Sequence, residues 1–305
     1  MSLSIELVAG LEPALIRMGL PPWVAGRLAN FPEGKARAER LLAELLQQCS
    51  DADIQQLQTA FAEAGDGFRL FPADPLARRI SRIFLREMTL DHHAVGLEAL
   101  DGFLSTGPSR RMIVCNHLSY TDTQVTDTVL DQLGRSSVAD RLVAVAGPKV
   151  YTEPWRRMAA VALNTRKTPQ STAVATEITL SPRQVAKLAI EAIDDCTRLM
   201  DEGKIILLYP EGTRSRTGQL GSFLRAAARY TSVPDLQILP LAQSGTERIF
   251  PIDDPDMYAS PVRLAFGTPI PPLPGRNDAL EASWHALAEL LPDAYKPLPG
   301  TEPIQ

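Results

Sequence analysis

The chain has 305 residues, 45% hydrophobic and 22% charged, which allows a sizeable core in one large or two modest domains. A formal net charge of -5 and an isoelectric point near 5.5 argue against a general nucleic-acid binder. No apolar run reaches the ~18 residues of a membrane-spanning helix, and the first residues lack a signal peptide, so the expected location is cytoplasmic, with membrane contact at most peripheral.

Residues 1 to about 95 carry helical patterning. Ile5 to Met18 shows a rough helical period closed by Gly19 and the Pro21-Pro22 pair, and Glu33 to Gln48 places Leu41, Leu42, Leu45 and Leu46 on one face. Ser50-Asp51-Ala52-Asp53 is a capping pattern that opens a helix ending near Gly65. After Pro72 and Pro75, a helix over 76–88 combines Ile80, Ile83, Phe84 and Leu85 with Arg78, Arg79, Arg82 and Arg86. Four helices with short breaks predict a small bundle over 1–95. The basic and apolar sides of the fourth suit either a solvated bundle helix or peripheral contact with an anionic bilayer.

From residue 96 short apolar runs alternate with helices, which predicts an α/β domain over 96–305. The expected fold is α/β, a mixed, mostly parallel central sheet flanked by helices and preceded by the N-terminal helical bundle. Candidate strands are 111–115, 142–146, 159–163, 205–208, 236–241 and 262–266. Ser181-Pro182-Arg183-Gln184 caps the clearest helix, which Gly203 stops, and another helix surrounds Leu280, Trp284, Leu287 and Leu291. Cys49, Cys115 and Cys196 are odd in number and lack metal spacing, so buried thiols in a reducing compartment are expected, with no metal or cofactor.

Two stretches carry chemistry. Asn116-His117-Leu118-Ser119-Tyr120-Thr121-Asp122 follows a candidate strand, the place where α/β proteins put their functional groups. On a continuous helix His117 and Asp122 would lie roughly 140° apart. They meet only if His117 sits in a loop and Asp122 in the first turn of the next helix, with Ser119 as a plausible N-cap. Ser119 to Asp122 is also an ordinary capping pattern, and taken alone that explanation is the better one. The functional reading is that Asp122 orients the imidazole so that its other nitrogen accepts a proton from a hydroxyl. The second stretch, Tyr209-Pro210-Glu211-Gly212-Thr213-Arg214-Ser215-Arg216, is a glycine turn with two arginines, whose planar forks suit phosphate. Arg166 with Lys167, and Lys149, follow other candidate strands and could join the same crevice.

The two stretches in this order resemble the glycerolipid acyltransferase family, whose blocks read His-x4-Asp and Glu-Gly-Thr-Arg. The resemblance extends over Gly147 to Val150, Pro154, Asn164 to Lys167 and Leu239-Pro240-Leu241-Ala242, most of residues 95 to 270. A helical bundle before an α/β domain is similar in architecture to the soluble plastid-type glycerol-3-phosphate acyltransferases. Those enzymes carry Gly-Gly-Arg-Asp-Arg where this chain has Gly212 to Arg216, and the form here is closer to lysophosphatidate acyltransferases.

The resemblance implies His117 as base and Asp122 as its orienter. It places Arg166, Lys167, Arg214 and Arg216 around the acceptor's phosphate, with Lys149, Glu211, Gly212 and Thr213 in the substrate site. The donor is then acyl carrier protein or acyl-CoA, and the acceptor glycerol-3-phosphate or 1-acylglycerol-3-phosphate. Transfer is direct, and backbone N–H groups near Gly212 are candidates for the oxyanion. The competing readings are acylation of a hydroxyl without phosphate and a non-catalytic lipid- or carrier-binding module.

Overall fold

The computed structural model describes residues 35–105, 107, 110–152, 154–169, 180–254 and 256–305. The helix expected over Ile5 to Met18 lies outside them. Eight strands form one sheet: β1 (Leu70–Phe71), β2 (Thr89–Val95), β3 (Arg110–Cys115), β4 (Leu142–Ala146), β5 (Thr165–Lys167), β6 (Ile205–Leu208), β7 (Leu236–Ser244) and β8 (Ser260–Phe266). The spatial order is β1-β5-β4-β6-β3-β7-β8-β2. The central run β5-β4-β6-β3-β7 is parallel, while β1 on β5 and β7 on β8 are antiparallel. The sheet is thus mixed and mostly parallel, and the fold is α/β.

The central strands are buried on both faces, which is why 112–115 and 205–208 read as unbroken apolar runs. One expected strand is corrected. Residues 159–163 belong to the end of helix α8 (Pro154–Val161) and the turn after it, and the strand is the polar Thr165–Lys167 that follows. A short apolar run has no period of its own, so burial in a helix and burial in a strand look alike.

Seven further helices matter here. They are α1 (Lys35–Gln48), α2 (Asp51–Glu63), α3 (Pro75–Met88), α4 (Leu97–Ser105), α5 (Asp122–Gln132), α7 (Lys149–Thr152) and α9 (Pro182–Asp201); α6 is the single turn Ser136–Ala139. Capping boxes at Ser50 with Asp53 and at Ser181 with Gln184 begin α2 and α9. Asp74 accepts the Ala77 N–H at 2.8 Å to begin α3. The helices before residue 95 share one core with the sheet: Leu42, Leu57, Phe84 and Met88 lie in the same apolar cluster as Ile113, Leu207 and Leu264. The boundary expected near residue 95 therefore runs through a continuous core, and β1 and β2 on its N-terminal side are strands of the central sheet.

Three of the four arginines of α3, Arg78, Arg82 and Arg86, are paired with aspartates, while Arg79 is exposed. Arg82 grips Asp127 through Nε at 2.7 Å and Nη2 at 3.1 Å and reaches Asp131 at 2.9 Å. Arg78 bridges Asp127 at 3.1 Å and Asp140 at 2.9 Å, and Arg86 pairs with Asp131. This network fastens α3 to α5. No helix among the described residues is long and apolar enough to cross a membrane.

Asp127 is only 2% exposed and accepts from two guanidinium groups, so its removal strands buried positive charge. Asp127→Ala is expected to cost about 3 kcal/mol in urea unfolding, by the usual penalty for breaking a buried pair. Arg79→Gln, on the exposed side of α3, should leave the unfolding midpoint nearly unchanged.

Candidate active site

β3 and β6 are neighbours in register, with Val114 beside Leu208, so the loops leaving their carboxyl ends lie side by side. The first loop carries His117 and the second Glu211 to Arg216. They are stitched together by their backbones. The His117 N–H donates to Glu211 Oε1 at 2.8 Å, and the Ser215 N–H donates to the His117 carbonyl at 2.7 Å. Asn116 extends the stitching to β7, where it exchanges two hydrogen bonds with the Gln243 backbone at 2.8 and 3.0 Å.

Asp122 is the first residue of α5 and turns its side chain back over the loop. Its carboxylate lies 2.8 Å from His117 Nδ1 and also accepts the N–H groups of Leu118 at 2.7 Å and Ser119 at 3.0 Å. Ser119 is not the N-cap. Thr121 holds that place without a side-chain cap bond, and the Ser119 hydroxyl donates to the Phe250 carbonyl at 3.2 Å. A loop bent around one carboxylate is what lets residues five apart meet. A neutral imidazole donating from Nδ1 keeps its lone pair on Nε2. The His117 ring stacks on Tyr209 with centroids 4.6 Å apart, and the Tyr209 phenol meets Thr123 Oγ1 at 2.9 Å.

In the second loop Gly212 takes φ 69°, the left-handed turn that aims the next residues at the cavity, and its Cα lies against the Leu224 side chain. Its own N–H donates to the Tyr209 carbonyl at 3.1 Å. Glu211 does not pair with an arginine. Its second oxygen accepts the Gly221 N–H at 2.9 Å, so a single carboxylate ties together three backbone segments.

Both loops line a cavity of about 1230 Å³. His117, Gly212, Thr213, Arg214, Arg216 and Lys149 of the expected set border it, and Asp122 and Glu211 stand behind them. Part of its lining is apolar, from Ala77, Ile80, Phe84 and Met88 of α3 together with Phe250 and Met257. Among the described residues no aspartate or glutamate lines the cavity.

Arg166 and Lys167 are placed elsewhere. Arg166 is 1% exposed, pairs with Asp195 of α9 at 2.9 Å and donates to the Lys167 carbonyl. Lys167 donates to the Gly65 carbonyl and lies over the rings of Phe68 and Tyr151. For Arg166 alternation along β5 is the reason: Thr165 borders the cavity, and the next residue faces α9, whereas Lys167 is drawn off by its bond to Gly65. Sequence reasoning missed Tyr120, Arg156 and Arg229 as lining residues. No motif marks the two arginines, and only the fold carries them there.

Burial pushes the Glu211 carboxyl up to about 7, against the N–H bonds from His117 and Gly221 and with the Asp122 charge adding to the rise. Burial likewise drives the Cys115 thiol well up, and its sulfur accepts from Gln243 at 3.0 Å, so it packs as an apolar group rather than a nucleophile. For Glu211 the folded state holds its proton more tightly than the unfolded chain. That contribution to stability is full below about pH 4.5 and is lost as pH rises through about 7. Urea midpoints measured from pH 5 to 8 should therefore fall for the wild type relative to Glu211→Gln. Parallel curves would contradict this.

A family model described as Acyltransferase matches residues 105–244, from the last residue of α4 to the last of β7, and so spans both loops. The chloroplastic 1-acyl-sn-glycerol-3-phosphate acyltransferase of Arabidopsis thaliana is 32% identical over 62 residues, 20% of this chain and 17% of that protein. The corresponding protein of Brassica napus is 31% identical over 62 residues, 20% of this chain and 18% of that one. The chain thus spans less than a fifth of the length of these relatives. The 1-acyl-sn-glycerophosphate acyltransferase PlsC from Thermotoga maritima superposes with a TM-score of 0.47 at 14% identity, over 91% of this chain and 94% of that one. The acyltransferase family model is thus laid over both stitched loops, and over residues 105–244 the chain is similar to acyltransferases.

Proposed function

We propose that the protein transfers a fatty acyl group from a thioester donor, acyl carrier protein or acyl-CoA, to a hydroxyl of glycerol-3-phosphate or 1-acylglycerol-3-phosphate. The observation that carries this reading is the His117–Asp122 contact of 2.8 Å, with Nε2 left for a substrate at the edge of a cavity bearing cations. The plant relatives, named for acylating 1-acylglycerol-3-phosphate, support the second acceptor.

In the first step Nε2 of His117 takes the acceptor's hydroxyl proton as its oxygen bonds to the thioester carbonyl carbon. Asp122 holds the imidazolium formed. The tetrahedral intermediate collapses, the C–S bond breaks, and the leaving thiolate takes the proton back from His117. No enzyme-bound acyl group forms. Arg214 and Arg216, with Lys149 across the cavity, neutralise the acceptor's phosphate. The apolar lining from α3 takes the acyl chain, where each buried methylene contributes about 0.8 kcal/mol.

His117→Ala should lower kcat by roughly 10²- to 10⁴-fold, the range for losing a general base, with the unfolding midpoint little changed. Near-normal transfer would end the proposal. Arg214→Gln should raise the acceptor KM at least about tenfold, the loss expected when a charge-assisted phosphate contact goes, and leave the donor KM alone. Arg166→Gln tests the corrected placement. It should lower stability without moving the acceptor KM, because Arg166 is enclosed with Asp195.

A further inference from the structure

The loop between His117 and Asp122 offers the cavity a second ring, that of Tyr120. The Arg214 guanidinium carbon lies 3.8 Å from its centroid, a close cation–π contact. Arg156 of α8 comes to the same ring, its guanidinium carbon 4.9 Å from the centroid and its Nη1 donating to the phenol oxygen at 2.9 Å. All three side chains border the cavity. Arg214 Nη1 is buried and has no hydrogen-bond partner, so the ring holds the guanidinium without satisfying its donors.

We infer that Tyr120 is a positioning residue for the acceptor: its ring sets the Arg214 guanidinium at a fixed place relative to His117, with Arg156 holding the ring from its phenol end. This rests on the phosphate-bearing acceptor proposed above. The physical argument is one of preorganisation. An arginine on a flexible stem loses rotamer freedom when it clamps an anion, and a ring that already immobilises it removes that cost. A π-face suits the purpose because it attracts the cation without spending N–H donors. A carboxylate in the same place would occupy those donors and repel the phosphate. Tyr120 also belongs to the loop bent around Asp122, so the ring that seats Arg214 and the base His117 are carried by the same six residues of chain. The distance between Arg214 and His117 decides which hydroxyl of a phosphorylated polyol meets Nε2.

The test compares wild type with Tyr120→Leu, Tyr120→Phe and Arg156→Gln in two measurements, calorimetric binding of glycerol-3-phosphate and steady-state acyl transfer. Tyr120→Leu should weaken binding and raise the acceptor KM by about tenfold, the upper range of a desolvated cation–π contact, with the donor KM within twofold of wild type. Tyr120→Phe keeps the π-face and should stay within about threefold on both measures, while Arg156→Gln, which frees the phenol end, should fall between. Equal binding by wild type and Tyr120→Leu overturns the inference, and so does a parallel rise in donor KM, the mark of a merely structural role. Tyr120→Leu should unfold at the wild-type urea concentration, which separates loss of the ring from loss of the fold. Wild-type binding that depends on Tyr120 without acyl transfer would sustain the positioning role and remove the proposed reaction. Transfer with Tyr120-independent binding would do the reverse, and no binding by wild type would end both.

Discussion

One buried carboxylate holds the two halves of the site at a common position. Glu211 accepts the His117 N–H with one oxygen and the Gly221 N–H with the other, while Ser215 returns a bond to the His117 carbonyl. Loops leaving parallel strands have no ladder left to pair with, and unpaired backbone groups at their buried ends would be costly. Glu211 fills that need at the C-terminal edge of β3 and β6. Its burial raises the energy of the charged form, which is the penalty for using an ionisable group as a staple.

Asp122 solves the matching problem within the first loop. Its three N–H contacts bend residues 117–122 into a closed turn, and the same bend that satisfies the backbone presents the His117 and Tyr120 rings to the cavity. Structural and chemical explanations of this acidic residue are therefore not alternatives. The loop backbone and the imidazole use one carboxylate. Farther out, the Asp127 network keeps α3 against α5, and so keeps Ile80, Phe84 and Met88 in the wall of the cavity that His117 borders.

Legibility followed burial. Strands β3, β4 and β6 were readable because 112–115, 142–144 and 205–208 are buried on both faces and apolar. β2, with Asp91, His92 and His93 at the sheet's edge, shows no such run, since water covers much of it and pairing comes only from β8. β5 was displaced into the apolar end of α8 because three residues, Thr165 to Lys167, are too few to show a period. Ser119 was read as a cap from its spacing to Asp122, yet the bond runs the other way, from the Ser119 N–H to the aspartate.

By itself the sequence determined which groups exist and roughly where along the strands they stand. A histidine, an aspartate five residues on, and a glycine turn with two arginines after another strand are local facts, legible because local chemistry needs those residue types in that order. The tertiary structure decided which cations reach the cavity. Arg166, in a motif, is turned away into an ion pair with α9, whereas Arg156, in none, is brought to Tyr120 across 36 residues of chain. The reason is that direction in a strand depends on register, and proximity across the sheet depends on packing. Neither is written in the spacing of residues along the chain.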